Sequence, residues 1–267
     1  MNSLKQMISG TCLESPARFA VNLMRKVMRG GADSEWDIRL QRDEKLTDKL
    51  LGTLLRSDSN CIDIGANQGD FLARFCKLSP SGHHIAFEPL PEFYKRLLEK
   101  FPEAEVHNCA LSDFEGTSEF HHIVEMPGMS GLKGQPYPDK VSTEMIQVNV
   151  RRLDEMVKPH VHVDFIKIDV EGAELEVIKG GRETISKCKP VIYFEHAKIH
   201  NLEYETSPEV MFDLMTRSLG FTLFTLAMDR PLSKSQFIDI YEQSFALNYD
   251  RKSHTNFLAM PADQQTP

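Results

Sequence analysis

The feature that most constrains this chain is a regular alternation, beginning at Asn60, between short apolar runs and segments with helical spacing. CIDIG (61–65), HHIAFE (83–88), AEVHNCAL (104–111), VDFIKIDV (163–170), KPVIYFEHA (189–197), GFTLFTLA (220–227) and NFLAMP (256–261) read as strands. Between them, GDFLARFCKL (69–78) sets Phe71, Leu72, Phe75 and Leu78 at helical spacing, and PEFYKRLLEKF (91–101) opens with Pro91 in a first-turn position. GAELEVIKGGRETISK (172–187) and Ser207–Leu219 continue the pattern. Strands joined through helices run parallel, and a parallel sheet needs both faces covered. The alternation therefore predicts an α/β fold with a doubly wound, mainly parallel sheet. One interruption stands out: SEFHHIVE (118–125) and EMIQVNVRRL (144–153) alternate with period two around the Gly/Pro-rich MPGMSGLKGQPYPDK (126–140), which predicts a β-hairpin insertion with a mobile tip. The first 59 residues are helix-like and polar, and the organisation expected is a helical extension over 1–43 and one α/β domain over 44–267.

Composition limits the partners. At 41% apolar residues the chain can bury a real core, while a net charge of −8 repels a phosphate backbone, so nucleic-acid binding is not expected. No run of 18 apolar residues and no signal-peptide pattern is present, and a cytoplasmic address is expected. Cys12, Cys61, Cys76, Cys109 and Cys188 form no CxxC pair, which argues against a disulfide framework or a zinc knuckle.

The first strand-to-helix turn, Asp63-Ile64-Gly65-Ala66-Asn67-Gln68-Gly69, lies where open α/β sheets place ligands. Gly65 suits a tight turn, and Gly69 a close approach of helix to sheet. Asp63, Asn67 and Asp70 make the turn polar and acidic. A cationic ligand group, such as the amino group and sulfonium of S-adenosylmethionine, suits it better than the pyrophosphate of a dinucleotide. Glu88 ends the next strand, where a carboxylate accepts from both hydroxyls of an adenosine ribose; the same residue is compatible with NAD.

Together these residues resemble the FkbM family of S-adenosylmethionine-dependent methyltransferases, within the class I methyltransferase fold. The resemblance runs through IDIGANQGDF (62–71), FEPLPEFYKRL (87–97), NCALSDFEG (108–116), MSGL (129–132), VRRLDEM (150–156), DFIKIDVEGAELEVIKGG (164–181) and VIYFEHA (191–197). It implies a seven-stranded, Rossmann-like sheet of order 3-2-1-4-5-7-6 with the last strand antiparallel. It further implies that Asp63, Gly65, Ala66, Asn67, Gly69 and Phe71 surround the methionine part of the cofactor, and that Glu88 with Pro89 holds its ribose. Ala110, Leu111 and Ser112 would border the adenine, and Asp169 and Glu171 the methyl group. The usual activity of the family is methylation of a hydroxyl, with sugars and macrolides among acceptors.

Attack on a sulfonium methyl needs an acceptor oxygen held in line and a base for its proton. Asp169, ending a buried strand, and His196, ending the next, are the candidate bases, with Glu195 orienting the site. A metal held by Asp169, Glu195 and His196 is weighed and not expected, because neighbours on a strand point to opposite faces. Gly128, Gly131 and Gly134 give the insertion the composition of a lid, with Ser130 and Lys133 as substrate contacts. Residues 16–30 form a basic amphipathic pattern fit for a membrane surface or a partner. The function expected is O-methylation of a small-molecule or glycan acceptor, namely a carbohydrate, glycolipid or polyketide-like hydroxyl. The alternatives are an NAD(P)-dependent oxidoreductase, disfavoured by the missing Gly-x-Gly-x-x-Gly, and a non-catalytic cofactor-binding module.

Overall fold

The computed structural model describes residues 35–134, 141–204, 206–244 and 254–263. The amphipathic pattern at 16–30 lies outside them. The strands are β1 (Cys61–Ile64), β2 (His84–Phe87), β3 (Glu105–His107), β4 (Ala110–Leu111), β5 (Gly116–Ile123), β6 (Thr143–Arg151), β7 (Phe165–Ile168), β8 (Val191–Glu195), β9 (Phe221–Thr225) and β10 (Asn256–Pro261). Seven of them form one sheet in the order β3-β2-β1-β7-β8-β10-β9, which in that sheet's own strand count is 3-2-1-4-5-7-6. β10 alone runs antiparallel, pairing with β8 and β9.

Both faces of this sheet are covered, as the unbroken apolar runs require. On one face Ile62, Ile64, Ile166 and Ile168 pack with Val177, Ile178 and Ile185 from helices α5 (Glu174–Gly180) and α6 (Arg182–Cys188). On the other, Cys61, Phe165 and Tyr193 pack with Leu51 of α1 (Glu35–Leu54) and Phe75 of α2 (Asp70–Leu78). Complete burial of each large side chain, such as Leu51 and Phe75, contributes roughly 1.5–3 kcal/mol. Helix α1 crosses the expected boundary at 43/44 without a break, so its second half is part of the domain core and its first half continues the same rod.

Three elements differ from the sequence reading. The run at 104–111 is two strands in two sheets, because Asn108 turns out of the ladder and donates from Nδ2 to the carbonyls of Glu88 and Pro89. β4 then joins a three-stranded sheet with β6 and β5, and the hairpin insertion is the antiparallel β5–β6 pair of that sheet. The helical pattern at 172–187 divides at Gly180–Gly181 into α5 and α6. After α3 (Pro91–Lys100), α4 (Leu153–Met156) and α7 (Pro208–Asp213), a further helix α8 (Lys234–Gln243) was not anticipated. Its start carries a capping box in which the Ser233 hydroxyl accepts from the Gln236 amide while Gln236 accepts from the Ser233 amide. Among the described residues no helix is long and apolar enough to cross a membrane.

Candidate active site

Parallel strands bring their C-terminal ends to one edge, and the turns after β1, β2 and β7 meet there. Gly65 has φ 74°, and a Cβ at that position would lie 2.0 Å from the carbonyl oxygen of Asp169, so the β1 and β7 turns touch through a missing side chain. The amides of Gly65 and Ala66 donate to the Phe87 carbonyl, and that of Asn67 donates to Glu88 Oε2 at 2.7 Å. Glu88 Oε1 accepts from the Leu90 amide at 2.8 Å. The Glu88 carboxyl is thus fixed by two backbone donors, and burial pushes its pKa up to about 7 despite them.

A cleft opens over this junction. Of the residues expected to hold a cofactor, Gly65, Asn67, Glu88, Pro89, Ala110, Leu111, Asp169 and Glu171 line it. Phe87, Leu90, Cys109 and Phe120 add an apolar wall. A nucleoside needs such a pair of surfaces, an apolar slot for the base and a carboxylate at the ribose, and S-adenosylmethionine fits the residues present.

The other five expected cofactor residues do not line the cleft, and each makes contacts within the fold. Asp63 is fully buried and lies within β1, where alternation turns it toward α2. Its Oδ2 accepts from the Leu72 amide in the first turn of α2, and its Oδ1 lies 3.3 Å from Lys167 Nζ. The two are direct register partners across β1 and β7. Ala66 packs with Leu72, Ala86, Leu97 and Val106. Gly69 (φ 81°) caps α2 against Leu97 and Phe101, Phe71 sits 4.9 Å from the Tyr193 ring, and Ser112 backs onto Gly180.

Lys167 is one of the residues that the sequence reading missed. Buried in β7, it donates to the carbonyls of Ile64 (3.2 Å) and Gly65 (2.7 Å) and stands 3.9 Å from Asp169 Oδ2. Burial pulls its pKa down, but Asp63 and Asp169 outweigh that and hold it above the ordinary value. One ammonium therefore clamps the start of the glycine turn and balances two carboxylates. The available signal was parity: Asp63 and Lys167 occupy the same position in their strands, each two residues after a core residue, Cys61 or Phe165.

The candidate bases separate. Asp169 stands just past β7 with 39% of its side chain exposed, in the cleft, and its pKa rises to about 6 through burial, against the pull of Lys167 and with the push of Glu195. His196 is a correction: fully buried, it stacks on Tyr241 (4.7 Å) and Phe237 (5.7 Å) of α8, and burial lowers its pKa to about 3. An imidazole sealed beneath a helix cannot reach an acceptor. Glu195 points the other way, as alternation requires, and does not line the cleft but lies beside Glu171 through His200. His200 was not singled out from sequence. It is brought there because a Cβ on Gly172 (φ 108°) would lie 2.2 Å from the His200 carbonyl, so the two loops touch at that glycine. Glu174 is buried and accepts from the amides of Val170 and Gly172, which holds the loop that presents Glu171 with φ 58°.

The insertion reaches over the cleft. Pro127, Gly128, Ser130 and Leu132 line it, and a Cβ on Gly128 would lie 3.1 Å from Asn67 Nδ2. Ser130 is buried, and its hydroxyl accepts from the Ile123 amide, which pins the turn. Lys133 does not line the cleft; its ammonium donates to the Glu203 carbonyl at 2.6 Å and lies over the Tyr204 ring.

The sequence profile described as Methyltransferase FkbM domain matches residues 63–223, more than half of the chain. The chain belongs to the FkbM methyltransferase family. It is accordingly an S-adenosylmethionine-dependent methyltransferase, and the nicotinamide reading is set aside. The 2-O-methyltransferase NoeI of Sinorhizobium fredii is 28% identical over 187 residues, covering 64% of this chain and 76% of that protein. The hexuronic acid methyltransferase AglP of Haloferax volcanii is 30% identical over 194 residues, covering 68% of this chain and 72% of that one. Among solved structures, an FkbM methyltransferase from Methylobacillus flagellatus KT is 18% identical with a TM-score of 0.45, covering 78% of this chain and 45% of its own.

Proposed function

We propose that this FkbM methyltransferase moves a methyl group to a hydroxyl oxygen of a carbohydrate, with Glu88 on the cofactor ribose and Asp169 as the base. The reading rests above all on one observation: Glu88 and Asp169 line the same cleft, at the ends of the two strands that flank β1. The names of two relatives, a 2-O-methyltransferase and a hexuronic acid methyltransferase, favour a sugar hydroxyl over a polyketide.

Bound in the cleft, S-adenosylmethionine supplies an electrophilic methyl group on a sulfonium. Glu88 would accept from the ribose hydroxyls while its two backbone donors keep it oriented. The Gly65–Asn67 turn would pack against the ligand, with Leu111 and Phe87 as its apolar side. Asp169 Oδ2, set beside Lys167, would take the proton of the acceptor hydroxyl as the C–O bond forms and the sulfonium–methyl bond breaks, with S-adenosylhomocysteine the leaving group. The segment around Gly128 and Ser130 excludes water from that step, acting as the lid.

Incubation with a deuteriomethyl donor and a panel of neutral and uronic-acid oligosaccharides tests the proposal. The expected product carries the label on a sugar oxygen, located by fragment-ion spectra. Label on nitrogen or carbon, or transfer only to non-carbohydrate acceptors, would overturn it.

A further inference from the structure

Beside the cleft, three side chains that no part of the methyl-transfer reading uses converge. Glu171 follows β7, Glu195 ends β8, and His200 comes from the turn after β8. One ligand atom from each lies within 4.8 Å of the others. His200 Nδ1 is 3.1 Å from Glu195 Oε2 and 3.5 Å from Glu171 Oε2, yet this buried nitrogen makes no aligned hydrogen bond with either. Two oxygens and one nitrogen converging within 4.8 Å have the spacing of ligands around one small ion. All three side chains are about seven-eighths buried.

We infer that Glu171, Glu195 and His200 form a binding site for a divalent cation of the Mn²⁺ or Mg²⁺ class. Without an ion the His200 imidazolium pairs with both carboxylates, and a metal would take the place of its proton, leaving two carboxylates and a neutral imidazole to match a dication in charge; two oxygens and one nitrogen favour Mn²⁺ over the thiolate-preferring metals. The set differs from the one weighed in the sequence analysis. His196 leaves for the opposite face, and His200 takes its place because the loop doubles back against Gly172. Three protein ligands leave coordination positions for water or for two neighbouring hydroxyls of an acceptor, since Glu171 also lines the cleft. That use of the ion rests on the proposed function; the site itself does not.

The test uses the full chain, stripped with EDTA and dialysed. It is titrated with MnCl₂ while the magnetic-resonance signal of free aqueous Mn²⁺ is followed. One bound equivalent, displaced by excess Mg²⁺, is expected. His200→Ala and Glu171→Gln should each weaken binding by at least about tenfold, because losing a direct ligand costs no less than losing an outer-sphere partner. His162→Ala, at the opposite edge of the sheet, should bind as the parent does. If His200→Ala fails to fold by circular dichroism, Glu171→Gln carries the comparison. No saturable binding by the parent, binding of Zn²⁺ alone, or equal binding by all variants would overturn the inference. Because nothing here is read from turnover, failure leaves the methyl-transfer reading standing, and titration with S-adenosylhomocysteine reports on that reading separately.

Discussion

Asp63 and Asp169 end neighbouring strands, and both lie close to the same ammonium of Lys167, but only one of them faces the cleft. Asp63 is the third residue of β1, so the pleat turns it into the helix-covered face, where it caps α2 and is fully buried. Asp169 is one residue beyond β7, its amide still donating to the Ile64 carbonyl of β1, and its side chain is partly exposed at the edge. The two share a strand parity, as register with Lys167 requires, and position along the strand, inside the ladder or past its end, divides the buried carboxylate from the one in the cleft. Lys167 couples them, so the buried carboxylate and the proposed base share one partner.

The widest separation between the two comes from their substitution. Asp169→Asn should lower kcat by about 10²–10⁴, the usual worth of a positioned base, while leaving the urea midpoint close to that of the parent. A variant with unchanged kcat would remove the base from Asp169. Asp63→Ala should instead destabilise the fold by about 3–5 kcal/mol, because it takes the nearest counter-charge from a buried ammonium. A loss below about 1 kcal/mol in a denaturation curve would show that Asp169 alone satisfies Lys167.

The cofactor side of the cleft predicts a pH effect. Burial raises the Glu88 pKa to about 7, and the ribose hydroxyls donate to its ionised form, so binding selects the deprotonated protein. Affinity for S-adenosylhomocysteine should be flat above that pKa and fall as pH drops through it, by up to about tenfold per unit. In Glu88→Gln this pH dependence should vanish along with most of the affinity. A parent affinity that is constant from pH 8 to pH 6 would contradict the assignment. The smallest effect is expected at Lys133, an exposed clamp: Lys133→Ala should change stability by no more than about 0.5 kcal/mol but quicken protease cleavage in the insertion. Equal cleavage rates would mean that the Glu203 contact does not hold the lid.

The fold was legible because uninterrupted apolar runs alternating with helices leave few topologies, and the class I order follows once the motifs are matched to a family. What escaped was set by contacts outside any periodic pattern. The run at 104–111 divides because Asn108 bonds to the chain after β2, and α8 is announced only by the Ser233–Gln236 cap. In the site, Gly65, Asn67 and Glu88 could be found because a turn after the first strand and a carboxylate after the second have fixed places in such sheets. His200 could not, since its position depends on a loop returning against Gly172, and His196 was misleading because its exposure depends on the unanticipated α8.

The most direct test of the central claim is calorimetric titration of the full chain with S-adenosylhomocysteine and, separately, NAD⁺, using Glu88→Ala as the control. One site of dissociation constant on the order of 1 µM for S-adenosylhomocysteine, weakened at least about tenfold in the variant and with no heat from NAD⁺, is the predicted result. Binding that is indifferent to Glu88, or binding of NAD⁺ in place of S-adenosylhomocysteine, would contradict the account.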